Sequence, residues 1–418
     1  MAYVYADWIK PNTPNHDDPI EVGKLESAFI NGHEVFSFEY NSEWLESDYK
    51  FELDPQLQLF AGRYYPANED KTFGFFSDSA PDRWGRLLMD RKEAYTAKLE
   101  GREPSNLGSM DYMLRVHDDY RMGALRYKLN PNGDFQDNNP SSSAPSIIKL
   151  KDLEYAASRI EEDDFEDDPK YSEWLDLILS EGSSLGGARP KACLNEVDKS
   201  LWIAKFPNKN DDRDIGLWEM VAYKLALDSG IEMSDSKVIA VNPNSKHHTF
   251  LTKRFDRDGG RRIHFSSAMA QLGMIDGGGD QSYLDIADFI TSRCSNPKDD
   301  LEKLWRQIIF SIAISNTDGH LRNYGFILDN NGWRLAPAYD LNPSPKGRAL
   351  YLNIDDSNNA LDFDIALGVI DLFEINQDRA EEILSKVLEA TSHWRAVATK
   401  LGIKRSEQDK MSRCFRSR

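Results

Sequence analysis

Leu301, Leu304, Trp305, Ile308 and Ile312 recur at helical spacing, and their apolar face stops just before Asn316-Thr317-Asp318-Gly319-His320-Leu321-Arg322-Asn323. A face of that width is buried in a core, so the polar segment behind it leaves from a fixed point. Tyr324–Leu328 reads as a strand, Asn330-Asn331-Gly332 as a hairpin turn and Trp333–Ala336 as the returning strand. Asp340 follows in Ala338-Tyr339-Asp340-Leu341-Asn342. A buried helix, a polar loop, a hairpin and an acid in this order are the context in which three oxygen-bearing side chains read as one functional set.

The chemistry of such a set is phosphoryl transfer. It needs an Asp to orient an acceptor hydroxyl and take its proton, an Asn to hold one metal ion, and a later Asp to hold metal against the nucleotide phosphates. Asp318 and Asn323 have the D-x-x-x-x-N spacing of the first two, and Asp340 is the third. Asp318 is thus the candidate base. Asn323 and Asp340 are candidate ligands for Mg²⁺, a hard cation that takes oxygen donors. Singly, each residue also reads as a turn cap, a strand start or a loop acid; it is their order that carries the functional reading. His320, between the two, reads equally as a phosphate contact or as a structural hydrogen-bonding group.

Composition limits the alternatives. A chain of 418 residues with 40% hydrophobic and 11% aromatic residues is long enough for two or three domains with sizeable cores. With 51 Lys plus Arg against 70 Asp plus Glu, the formal net charge is −19. That balance argues against nucleic-acid binding over the whole surface, because phosphate contacts need a basic footprint, while leaving room for a local basic patch. Cys193, Cys294 and Cys414 form neither a disulfide framework nor a zinc-site spacing, which points to a reducing, cytoplasmic setting. The first residues have no signal-peptide pattern, no apolar stretch reaches the length of a membrane span, and no membrane partner is expected.

Upstream, Phe36–Tyr40 alternates as a strand, Asp78–Gly85 reads as a turn into a helix through Leu87, Leu88 and Met89, and Gly123–Lys128 reads as another strand. The Asn-, Pro- and Ser-rich stretch from Asn130 to Pro145 marks a boundary. The acidic run Glu161–Asp168 reads as a solvated loop or helix end. Gly186, Gly187 and Ala188 allow backbone N–H groups to close over phosphates, although the loop fits neither common phosphate-loop pattern. Lys205 lies in the strand Leu201–Phe206, where an ammonium among apolar neighbours needs a counter-charge or must snorkel. Glu219, on the next helix, is its candidate partner, with Trp218, Val221, Ala222 and Leu225 on the apolar face. His247-His248 has no matching ligand spacing and reads as a loop pair. Glycine turn, strand lysine, helix glutamate, buried helix, D-x4-N loop and acid is the order of parts in a two-lobed kinase.

At this point the chain resembles the HipA toxins, the serine/threonine kinases of bacterial HipBA toxin–antitoxin modules. The resemblance rests on Ser184–Lys191, Ile203–Pro207, Lys253–Arg257, Asn316–His320 with Asn323–Phe326, and Ala338–Pro343. Pro81–Arg86 and Gly123–Arg126 add to it in the N-terminal part. It implies that Lys205 binds ATP phosphates, that Asp318 is the catalytic aspartate, and that Asn323 and Asp340 hold Mg²⁺. It also places His320 and Tyr339 in the nucleotide pocket and Lys253 and Phe255 beside adenine. Where the family tends to have Glu, this chain has Lys253. It further implies autophosphorylation at Ser184 or the adjacent Ser183, which would switch the kinase off. A phosphate there carries about −1.5 to −2 charge and would repel bound ATP. Asn316-Thr317 stands where ordinary kinases have His-Arg before the Asp, so control through an Arg–phosphothreonine pair is not expected.

The implied partners are a HipB-like helix-turn-helix antitoxin, operator DNA reached mainly through that antitoxin, and a protein substrate such as an aminoacyl-tRNA synthetase. The expected fold class is α+β, a two-lobed protein-kinase-like fold with an added β-rich N-terminal subdomain and a mostly helical C-terminal lobe. Its expected segments are 1–145, 146–257 and 258–418. Two rival readings are a small-molecule kinase of the aminoglycoside or choline type, which shares the D-x4-N logic, and a catalytically silent co-repressor.

Overall fold

The computed structural model describes residues 1–8, 18–48, 50–67, 72–138, 147–161, 170–182, 189–242, 245–275 and 280–418. The chain divides into two compact units, one of residues 1–209 with 256–266 and the other of 210–255 with 267–418.

The first unit is built on an antiparallel sheet. Its strands are β1 (Ala2–Ala6), β2 (Ile20–Ile30), β3 (His33–Tyr40), β4 (Arg63–Tyr64) and β5 (Leu125–Lys128), in the order β4-β3-β2-β1-β5. Period-two patterning sets the inward face: Phe36, Phe38 and Tyr40 are buried while Glu39 between them is exposed. Gly23 of β2 lies opposite Tyr40, and a Cβ there would fall 2.3 Å from the Glu39 carbonyl oxygen, so only glycine permits this pairing. The Phe38 ring meets Tyr40 at 5.0 Å and Phe76 at 5.2 Å, forming the aromatic core behind the sheet. The helix Arg83–Glu100 begins where the turn signal placed it and stops at Gly101 in the left-handed region (φ 67°). A further hairpin joins β6 (Lys191–Asn195) to β7 (Leu201–Lys205), and the Trp84 indole donates to the Lys191 carbonyl at 3.2 Å.

Buried charge closes this unit. Arg121 is fully buried and donates to the carbonyls of Ser79, Met113 and Val116 at 3.1, 2.7 and 2.8 Å, with its guanidinium over the Tyr127 ring. Asp118 accepts from Arg126 at 2.9 Å and from Arg262 at 3.3 Å. Asp256 accepts from the Gly123 amide at 2.8 Å and from Arg257 at 2.7 Å. The returning stretch 256–266 is therefore tied to the sheet by carboxylates and guanidinium groups, not by apolar contact alone.

In the second unit the helix Pro297–Ile314 is the central element, and Ile308, Ile309, Phe310, Ile312, Ala313 and Ile314 are all fully buried. Burial of each large aliphatic side chain contributes about 1.5–3 kcal/mol. The helices Tyr283–Arg293 and Gln377–Ser392 pack against it, and Ile215–Asp228 and Trp394–Lys400 pack on Gln377–Ser392 and on each other. The strands Ser236–Ile239 and Thr249–Lys253 pair as one hairpin, and Gly325–Asp329 and Gly332–Leu335 as another. The strand pairs and helices read from the sequence are present; the long β2 strand is the main element the periodicity did not announce. Among the described residues no helix is long and apolar enough to cross a membrane.

His264 is packed between the rings of Trp8 at 4.8 Å and Phe75 at 4.9 Å. Burial holds its imidazole down to about 3, with the Asp256 charge opposing only in part. In the unfolded chain the same group takes a proton near its usual value of 6.5. Stability is therefore present above that value and lost as pH falls through the window toward 3, by up to about 1.4 kcal/mol per pH unit. Urea melts across this range are expected to show the slope in the wild type and a flatter one in His264→Phe.

Candidate functional site

The site is organised by the way the central helix ends. Ser315 takes a left-handed conformation (φ 52°) directly after Ile314, a state that a non-glycine residue adopts only when its surroundings hold it there. The Asn316 amide turns back to donate to the Ser311 carbonyl at 2.8 Å. Asn316 is 2% exposed, and its Oδ1 accepts from the Asn342 amide at 3.4 Å. The Ser344 amide donates to the Ser315 carbonyl at 3.0 Å. The stretch after Asp340 is thus bonded back onto the helix end that launches the Asp318 loop.

Within the loop, Asp318 and Asn323 are neighbours in space as well as five apart in sequence. The Asn323 carboxamide Nδ2 donates to the Asp318 carbonyl at 2.9 Å, while the His320 amide bonds the same carbonyl at 3.0 Å. A single 3₁₀ turn, Leu321–Asn323, makes the return possible. The Asp318 side chain is exposed and Asn323 is half-buried. With Nδ2 donating within the loop, the Asn323 Oδ1 is the acceptor that its carboxamide has left to offer a ligand. Asp340 is itself left-handed (φ 58°), and its Oδ1 accepts from the Asn342 Nδ2 at 3.4 Å. Its neighbour Tyr339 donates from the hydroxyl to the Arg322 carbonyl at 2.8 Å, next to Asn323. Asp318 and Asn323 are therefore bonded within one loop of the second unit, and the stretch carrying Asp340 is bonded to that loop through Tyr339 and Asn342. Their donors are two carboxylates and a carboxamide, all hard oxygen groups that fit Mg²⁺. Among the described residues there is no cluster of three or more His, Cys, Asp or Glu side chains placed to hold a metal ion. The set fits a cation that also takes oxygens from a phosphate ligand.

Neighbouring positions join this segment. The Ala338 amide donates to the Glu232 carbonyl at 2.8 Å, and the Phe255 ring lies 5.7 Å from Tyr339. Phe255 and Tyr339 are thus brought together. Lys253, half-buried at the end of its strand, donates its amide to the Asp235 carbonyl at 2.8 Å. His320 sets its ring edge-on to Tyr351 at 5.7 Å, and among the described residues its buried Nδ1 has no hydrogen-bond partner. Beneath the loop the Tyr324 hydroxyl donates to that of Tyr283 at 3.1 Å, and burial pushes both phenols up, so both stay protonated.

The remaining predicted residues are placed as follows. Lys205 ends β7 in the first unit, opposite Lys191 in the strand register, and is half-buried. Glu219 is 6% exposed on the helix Ile215–Asp228 of the second unit. Gly186, Gly187, Ala188 and both candidate phosphorylation sites, Ser183 and Ser184, lie outside the described residues, as does most of the acidic run. His247 and His248 lie in a loop as read, and from there His248 also braces a helix: its Nδ1 lies 2.6 Å from Oδ2 of Asp214, the N-cap of Ile215–Asp228. Sequence reasoning missed Ser315, Asn316 and Asn342. Only Asp214 left a usable signal, an acidic cap before a helical pattern.

A family model of the HipA-like C-terminal domain matches residues 183–394, just over half of the chain, and one of the HipA N-terminal domain matches residues 18–127. The chain belongs to the HipA family. Two curated proteins are similar in part. One, from Haemophilus influenzae, carries a name that provisionally makes it a kinase and is 28% identical over 180 residues, 38% of this chain and 52% of that protein. The other, Y4mE of Sinorhizobium fredii, is named in the same way and is 28% identical over 185 residues, 38% of this chain and 41% of that protein. The chain thus spans about half or less of the length of these relatives. HipA of Shewanella oneidensis, solved with HipB and its operator DNA, matches across 99% of this chain and 95% of its own at a TM-score of 0.63 and 16% identity. The fold of this HipA-family chain is accordingly the α+β, two-lobed, kinase-like one.

The segment after Asp340 also presses on the loop from outside. A Cβ at Gly347 would fall 1.9 Å from the Thr317 Oγ1 and 2.5 Å from its Cβ. Gly347→Ala is expected to destabilise the second unit by about 1–3 kcal/mol through overpacking. Thr317→Gly in the same chain should recover most of that loss, which thermal melts of the single and double variants would measure.

Proposed function

We propose that this HipA-family chain is an ATP-dependent protein kinase that transfers the γ-phosphoryl group to a serine or threonine hydroxyl. The observation that carries the reading is that Asn323 bonds Asp318 within a loop at the end of a fully buried helix, and that Tyr339, beside Asp340, bonds the same loop at Arg322. The exposed Asp318 carboxylate accepts the proton of the acceptor hydroxyl and orients its oxygen toward phosphorus. Asn323 and Asp340 would hold Mg²⁺, which when bound neutralises charge on the phosphates. Lys205 keeps the phosphate-pairing role that the resemblance gives it. Phe255 and Tyr339, whose rings are already neighbours, form an apolar surface suited to a nucleobase.

The finer parts of the proposal rest on family membership. The chain is read as a toxin neutralised by a HipB-like DNA-binding antitoxin, with operator DNA engaged mainly through that partner. The net charge of −19 suits this division, since the basic surface would come from the antitoxin. The substrate is read as a translation-related protein such as an aminoacyl-tRNA synthetase. Autophosphorylation at Ser184 or Ser183 would switch the enzyme off.

Asp318→Asn keeps size and polarity but removes the base. Phosphoryl transfer from radiolabelled ATP is expected to fall by about 10²–10⁴-fold, with the melting curve unchanged. Wild-type activity in this variant would refute the assignment. Incubation with lysate proteins beside small-molecule hydroxyl acceptors separates a protein kinase from a small-molecule kinase. Phosphoproteomics after brief expression of the two forms would identify the substrate.

A further inference from the structure

We propose that the stretch Cys414–Arg416 is a positioning element for the Asp318 loop, acting through Ser315; this deepens the kinase reading and rests on it. The left-handed turn at Ser315 needs an outside hold, and the structure places one there. The Ser315 hydroxyl donates to the Cys414 carbonyl at 2.9 Å and accepts from the Arg416 Nε at 3.1 Å. The Arg416 amide donates to the Ala313 carbonyl at 2.8 Å, satisfying one of the carbonyls that a helix end leaves open. The guanidinium also brings positive charge to the negative end of the central helix. A backbone bond, two side-chain bonds and a dipole contact therefore converge one residue before Asn316.

The stretch is itself pinned. The Phe415 ring stacks on Trp394 at 4.3 Å with planes 7° apart, and lies 6.2 Å from Trp218. Trp218 is adjacent to Glu219, and its indole donates to the Glu407 carboxylate at 2.7 Å. One short segment thus touches the helix that carries Glu219 and the helix end that carries the Asp318 loop. Neither Ser315 nor Arg416 is assigned a contact with nucleotide or acceptor. Their effect is to fix the direction in which Asn316 and Asp318 leave the core.

The test uses the full chain and four variants, Arg416→Ala, Arg416→Lys, Ser315→Ala and the double variant Ser315→Ala/Arg416→Ala. Transfer kinetics are read beside near-ultraviolet circular dichroism and amide hydrogen exchange. Arg416→Ala should lower kcat about tenfold, because small displacements of a reacting group are costly, while KM for ATP and the dichroism hold. Exchange at Asn316–Gly319 should quicken without change in the helix Gln377–Ser392. Arg416→Lys should recover part of the loss, and the double variant should be no worse than the poorer single one, since both act through one contact. Unchanged kcat, a loss that tracks the folded fraction, or fully additive losses would overturn the proposal. If the wild type transfers no phosphate, the kinase reading fails, and the exchange measurement alone decides whether the tail holds the loop.

Discussion

The second unit depends on a helix that is buried to its last residue and then made to stop. From Ile308 to Ile314 the central helix has no solvated face, so its direction is fixed by close packing. A helix end inside a core exposes carbonyl groups that must find donors or cost several kcal/mol. Here they are met by Asn316, whose amide returns to Ser311, and by Arg416, whose amide reaches Ala313. The polar loop starts from this satisfied end, and for that reason a carboxylate as exposed as Asp318 can still have a defined place.

The first unit solves a different problem. Its sheet is small and its carboxylates and guanidinium groups are deeply buried. Pairs such as Asp118 with Arg262 add little net stability, because desolvation offsets most of their attraction. Their value lies in geometry: a guanidinium with three carbonyl partners, as at Arg121, tolerates only one arrangement of the strands and turns around it. Buried charge here specifies, and aromatic packing around Phe38 stabilises.

Much of this was legible in the sequence. The central helix and both strands after Asn323 follow from periodicity, since it records which side chains must be buried together, while the Asp318–Asn323 pair was visible only as a spacing of polar residues. Family membership was legible too, from short motifs spread along the chain. What could not be read were the braces. Ser315, Asn316 and Asn342 act through backbone bonds between segments about thirty residues apart, and Cys414–Arg416 reaches back about one hundred residues to Ser315. No local pattern encodes such pairings, because the partner amides and carbonyls are common to every residue. His248 shows the same blindness from the other side: a histidine pair with no ligand pattern turned out to brace a helix start through Asp214.

The division of the chain carries a consequence for synthesis. The first unit is completed only by residues 256–266, which supply the partners of Asp118 and Gly123. The second unit begins at residue 210, before that return, and its central helix is capped by Arg416. A nascent chain emerging from the ribosome therefore cannot finish its N-terminal half before starting on its C-terminal half. The first unit can close once residue 266 has emerged, whereas the end of the central helix waits for Arg416, so a product released by a stalled ribosome before that residue would leave Ser315 without its hold.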